Sequence, residues 1–155
     1  MDLDYTNLEN TIKKLGYAAT FQKESGQLVT AFEIKGTEYP VFMRITEQST
    51  LLQIVMFLPC KSDEKTLPDT LRLLNLFNRE LDFPGFGYDE ASKLIFYRIV
   101  LTAFDNKMIP NIAFEKIFKI LPSIAATFAP LTHLVCSGNK SFNDIKNDFS
   151  RVSKR

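Results

Sequence analysis

Residues 83–101 read FPGFGYDEASKLIFYRIVL. Phe83–Tyr88 has the look of a short strand, Asp89–Ser92 of a turn, and Lys93–Leu101 of a longer strand. On the longer strand Ile95, Tyr97, Ile99 and Leu101 share one face, while Leu94, Phe96 and Val100 share the other, which Arg98 interrupts. Gly85 and Gly87 stand two apart, with no third glycine at phosphate-loop spacing and no helix immediately after. Dinucleotide-binding and P-loop readings therefore fail on context. The stretch reads as a hairpin in which glycine supplies backbone freedom and Asp89-Glu90 supplies turn polarity.

The segment entering this hairpin, Leu67–Leu81, has helical spacing. Leu71, Leu74 and Leu81 form a stripe widened by Leu73 and Phe77, with Asn75 and Asn78 at its edge. Asp69 lies near the N-terminus of that helix, where the macrodipole favours an anion. Four strands precede it, over residues 17–23, 27–34, 39–46 and 51–58, separated by the turn signals Ser25-Gly26, Lys35-Gly36-Thr37 and Glu47–Ser49. Tyr39, Val41, Met43 and Ile45 fall on one face of the third strand. The fourth, LLQIVMFL, is apolar on both faces apart from Gln53, and Pro59 is expected to end it. A helix over Asp4–Leu15 opens the chain: Thr6 and Glu9 have capping-box spacing, Leu8, Ile12 and Leu15 share a face, and Gly16 closes it.

Beyond the hairpin, Ala103–Pro110 reads as a loop and Asn111–Cys136 as a long apolar helix. Asn111 is the expected cap, Ser137-Gly138 the stop, and Pro122 and Pro130 each remove a backbone hydrogen bond. Phe142, Ile145 and Phe149 give the tail a weak amphipathic pattern, either a short docked helix or a mobile end. Residues 1–138 form one domain and 139–155 a polar tail. The order α-ββββ-α-ββ-α predicts the α+β class, with a twisted antiparallel sheet flanked by helices.

With 155 residues, 45% of them hydrophobic, the chain can bury a core without staples. The net charge is +1 and the cations are scattered, the tail residues Arg151, Lys154 and Arg155 excepted. This excludes nucleic acid and anionic membrane as steered partners. MDLDYTNLEN lacks the basic and apolar regions of a signal peptide, and the apolar stretch 117–135 carries two prolines, a Lys and a His. It reads as a buried or interface helix with no membrane insertion, and the expected location is the cytoplasm. Cys60 and Cys136 have no zinc-site spacing. They form either a disulfide or, more simply, two free thiols in a reducing compartment.

No set of residues points to chemistry. His133 and Cys136 are one helical turn apart, but two ligands make a poor metal site and no third can be named. The pairs Asp63-Glu64 and Asp89-Glu90 fall in turns, where carboxylates are solvated rather than opposed across a substrate. Neither a catalytic residue nor a metal nor a cofactor is assigned, and the chain is read as a non-enzyme.

The segment 71–101, LRLLNLFNRELDFPGFGYDEASKLIFYRIVL, resembles the YbjN family of bacterial proteins. The resemblance rests on the Leu/Asn-rich helix Leu73-Leu74-Asn75-Leu76-Phe77-Asn78, the turn Tyr88-Asp89-Glu90 and the strand Leu94–Leu101. It extends over roughly residues 4–137 as a pattern of elements. That family in turn resembles the class I type III secretion chaperones in fold. The resemblance implies a small α/β homodimer holding an extended segment of another protein. Secretion chaperones are typically acidic, whereas this chain is near neutral, which sets it apart from a dedicated effector chaperone.

Strands 51–58 and 94–101 are apolar on both faces. One face packs on helices, and the other needs a cover: a second copy of the chain, or the outer helix or tail. Arg44 and Arg98 each interrupt an apolar face, as charges do at an interface rim or when a long side chain snorkels. The leading reading is a protein-interaction module, a homodimer that binds an extended client segment in apolar grooves or at a sheet edge. Its candidate contacts are Phe42, Arg44, Leu52, Ile54 and Arg98. The alternative is a small-molecule sensory domain with an apolar pocket under the last helix, lined by Phe118, Phe128 and His133.

Overall fold

The computed structural model describes residues 1–46, 48, 50–103 and 108–152, with side chains through residue 148. Helix α1 spans Tyr5–Lys14. Its cap is Asp4, whose Oδ1 accepts the Asn7 N–H at 2.8 Å, so the expected Thr6–Glu9 capping box does not form. Glu9 instead pairs with Lys13 at 2.6 Å, one turn on along the exposed side. Leu8 and Ile12 are fully buried.

The strands are β1 (Ala19–Gln22), β2 (Gln27–Ile34), β3 (Thr37–Ile45), β4 (Leu51–Lys61), β5 (Phe86–Asp89) and β6 (Leu94–Thr102). They form one six-stranded sheet in the order β1-β2-β3-β4-β6-β5, with every pair antiparallel. Pro59 does not end β4. The strand runs on to Lys61, and its register with β6 shifts between Leu58 and Lys61. A proline is tolerated at such an irregularity because no ladder bond is demanded of it there.

Alternation along each strand sends one set of side chains into the core. Leu28, Met43, Leu52, Ile54, Met56 and Tyr97 are fully buried. Above them lie α1, α2 (Leu67–Glu80) and α3 (Asn111–Cys136). The Phe118 ring of α3 meets Phe32 at 5.1 Å and Tyr17 at 5.5 Å, while Phe128 meets Phe77 of α2 at 4.6 Å and Phe86 at 5.4 Å. Tilted and edge-on ring packing of this kind lets Phe replace the missing Trp as bulk filler.

Helix α2 is turned from its expected orientation. Thr70, Leu73, Leu74, Leu76 and Phe77 are buried, whereas Leu71 is 46% exposed. Helix α3 is continuous despite Pro122 and Pro130, begins after Pro110 with no side-chain cap, and stops at Gly138 with φ +73°. Asn111 is thus the first helical residue and not the cap. The tail forms α4 (Phe142–Val152), docked on α2. There Phe142 and Ile145 are buried, Arg72 lies 4.2 Å over the Phe142 ring, and Asp69 accepts the Phe142 N–H at 2.9 Å. The side chains of Phe149 and Arg151 are not described, and Lys154, Arg155, Glu47, Ser49 and residues 104–107 of the expected loop lie outside the described residues.

The hairpin β5–β6 is fastened by Asn78 at the end of α2. Its Oδ1 accepts the N–H of Gly85 at 3.0 Å and of Phe86 at 2.8 Å, and its Nδ2 donates to the Phe86 carbonyl at 2.9 Å. Neither Gly85 nor Gly87 has a positive φ. Their role is close approach: a Cβ on Gly85 would run into the Arg98 carbonyl, and one on Gly87 into the Phe96 ring. Gly85 also accepts the Arg98 N–H at 2.9 Å.

Candidate interaction surface

The side chains that alternate with the buried set form the second face of the sheet. Strand register fixes their neighbours. Thr20, Val29, Phe42, Val55 and Arg98 lie in one row across β1, β2, β3, β4 and β6. Arg44, Gln53 and Val100 make the next row, and Phe57, Phe96 and Gly87 another. Phe42 meets Phe57 edge-on at 5.6 Å, and Phe57 meets Phe96 at 6.3 Å. The Arg98 guanidinium sits 6.0 Å from the Phe96 ring centre, within reach of a cation–π contact.

Phe42, Phe57 and Phe96 shield one another. Val29, Phe42, Val55, Phe57 and Phe96 are half-buried, and Val100 is 47% exposed. Among the described residues, the ring contacts between helix and strand fall on the opposite face, at Phe21, Phe32 and Phe86. Helix α4 also docks on the helical side, away from this face. The result is an apolar, aromatic sheet face carrying two arginines with no ion-pair partner among the described residues.

The two edges of the sheet are the four-residue strands β1 and β5. Short edge strands offer little ladder to an added strand, so the face is the larger opportunity for a partner.

Residues 4–131 match the family YbjN, described as "Putative bacterial sensory transduction regulator". The chain belongs to the YbjN family. The resemblance drawn from the Leu/Asn-rich helix and hairpin therefore holds, and Asn78 of that helix is the clamp on the hairpin. No curated protein matches this YbjN-family sequence. Among solved structures, the fold is similar to a chain of "Structure of the HopA1-SchA Chaperone-Effector Complex", at 15% identity and a TM-score of 0.50, covering 81% of this chain and 91% of that one. At that identity the likeness concerns the fold: an antiparallel sheet flanked by helices, in the predicted order.

Of the residues expected to contact a partner, Phe42, Arg44 and Arg98 lie on the open face of this YbjN-family sheet. Leu52 and Ile54 do not. Both are fully buried beneath the helices, because the period of two sends the even positions of β4 inward and Gln53, Val55 and Phe57 outward. Val55, Phe57 and Phe96 lie on the same open face and were not among the expected residues. Strand register is what joins them to Phe42, since Val55 pairs with Phe42 and Phe57 with Phe96.

The residues expected to line a pocket also separate. Phe118 is fully buried among Tyr17, Phe32 and Phe114, and Phe128 packs on Phe77 and Phe86. Only His133 borders a cavity under α3. Cys136 turns away from it into the core, where its sulfur lies 3.9 Å from that of Cys60. Both cysteines are free thiols. The hydrogen-bonded Cys136 and burial push the Cys60 thiol above its ordinary value, so it stays protonated and a poor nucleophile.

Proposed function

We propose that this YbjN-family protein is a non-enzymatic protein-interaction module of the cytoplasm that binds an extended segment of a partner protein. The observation that carries the reading is the bare sheet face built on Phe42, Val55, Phe57 and Phe96. Aromatic rings at the centre of a patch with arginines beside them are the composition of interface cores. A segment suited to it carries apolar side chains for the rings and an acidic residue for Arg44 or Arg98. The fold likeness to a chain of a chaperone–effector complex supports the same reading.

The protein acts as a homodimer in this reading, since isologous pairs are the commonest oligomers. Light scattering on the purified chain is expected to give twice the 17.8 kDa chain mass.

The deciding experiment is affinity capture of the tagged protein from its host, alongside Phe57→Glu and Arg98→Glu. A stoichiometric partner recovered by the parent and lost from both variants supports the reading. A partner retained by both variants places binding elsewhere, and recovery of the bait alone counts against a tight client.

A further inference from the structure

Between the second half of α3, the β2–β3 turn and the end of β4 lies a cavity of about 350 Å³, at the small end of the ~300–1,000 Å³ usual for small-molecule sites. Tyr39 and Cys60 form its depth, 7% and 8% exposed respectively. Lys35 and His133, both exposed, stand at its rim, and Ala126 and Pro130 of α3 form an apolar wall. No aspartate or glutamate lines it.

The Tyr39 hydroxyl has no hydrogen-bond partner among the described residues. The other largely buried tyrosine, Tyr97, gives its hydroxyl to the Phe83 carbonyl at 2.7 Å, which is what a buried phenol ordinarily requires. Tyr39 thus lines the cavity with a hydroxyl that has no protein partner among the described residues and is open to solvent there. Burial, and then the neighbouring Cys60, raise its pKa, so it remains a donor at neutral pH. Opposite this O–H donor and two cation-capable side chains, the complementary group is an anion with acceptor oxygens. Opposite the α3 wall, it is a compact hydrocarbon body.

We infer that this cavity binds a small organic monocarboxylate, its carboxylate accepting from Tyr39 near Lys35 and His133 and its apolar body lying along Ala126 and Pro130. The site is distinct from the open sheet face, and the inference does not rest on partner binding.

The test is isothermal titration of the full chain with hexanoate and benzoate, alongside their neutral amides. Saturable one-to-one binding of at least one carboxylate is expected, with Kd on the order of 0.1–1 mM for so few atoms. The amides are expected to bind at least about tenfold more weakly, and Tyr39→Phe to weaken the carboxylate about tenfold. Ala126 is exposed on the α3 wall, so Ala126→Phe fills the cavity without entering the core and is expected to abolish binding. Thermal melting of both variants verifies that they fold. Absence of binding at 10 mM carboxylate (roughly ten times the weakest expected Kd) overturns the inference. So does equal affinity for acid and amide, or carboxylate binding unchanged in folded Ala126→Phe or Tyr39→Phe.

Discussion

Asn78 illustrates how a single polar residue on a buried helix can organise a neighbouring element. Three hydrogen bonds from one half-buried amide hold the start of β5. Asn78→Ala leaves the Gly85 and Phe86 N–H groups without that acceptor. An expected loss of about 2–3 kcal/mol follows from the cost of unsatisfied, partly buried donors, read as a lower midpoint in urea unfolding. Gly85→Ala acts by a different route, forcing the β5 approach away from the Arg98 carbonyl. Hydrogen exchange is expected to accelerate along β5 in that variant while β2 and β3 stay protected. Burial opposes reaction at both thiols, and at Cys60 a raised pKa adds to it, whereas the hydrogen bond with Cys60 lowers the Cys136 thiol. Ellman's reagent is expected to label neither Cys60 nor Cys136 in the native protein and both in denaturant. Fast native labelling of both would contradict the burial of the pair.

At the scale of elements, short local acceptors set the turns and helix starts. Asp63 accepts the N–H groups of Lys65 and Thr66 ahead of α2, at 2.9 and 2.8 Å. Asp89 accepts from Ser92 in the hairpin turn, and Ser141 and Asp144 form a reciprocal capping box at α4. These bonds, led by the Thr66 backbone for Asp63, the Ser92 hydroxyl for Asp89 and the Ser141 hydroxyl for Asp144, lower all three carboxyl pKa values. A depressed carboxyl stabilises the fold above its unfolded value of about 3.9 and loses that contribution as pH falls through the folded value. Thermal stability is therefore expected to drop as the pH falls below about 4. Asp89→Ala is expected to melt earlier than the parent at pH 7, with the two curves converging as the pH falls through the lowered Asp89 titration. A constant gap at every pH would show that the carboxylate charge is not what the turn uses. The docking of α4 follows the same local logic through Phe142, which Asp69 and Arg72 hold.

For the whole molecule, the decisive asymmetry is a sheet with helices on one face only. Phe57→Glu on the open face is expected to shift thermal stability little, since the site is half-solvated in the monomer. The same change in the core, such as Ile54→Glu, is expected to unfold the chain. If light scattering gives a dimer for the parent and a monomer for folded Phe57→Glu, the open face is where two copies meet. A dimer that survives the substitution assigns pairing to another surface.

Much of this was written in the sequence. Helical and strand periods placed the elements in their order, and α3 and β2 lie where spacing predicts, because hydrophobic periodicity is a local property of the chain. Gly16 and Gly138, both at positive φ, mark helix ends that the sequence announces for the same reason. Other features depend on which groups meet across space. Whether Asp4 or Thr6 caps α1 depends on which side chain reaches an N–H, and the orientation of α2 was settled by packing against α3 and β5, which left Leu71 outside. Gly85 and Gly87 were legible as glycines, but their reason, contact with Arg98 and Phe96, exists only once β6 lies alongside. Both faces of β4 are apolar in the sequence, so composition could not tell inward Leu52 and Ile54 from outward Val55 and Phe57. The helices decided it, because they cover one face and leave the other open.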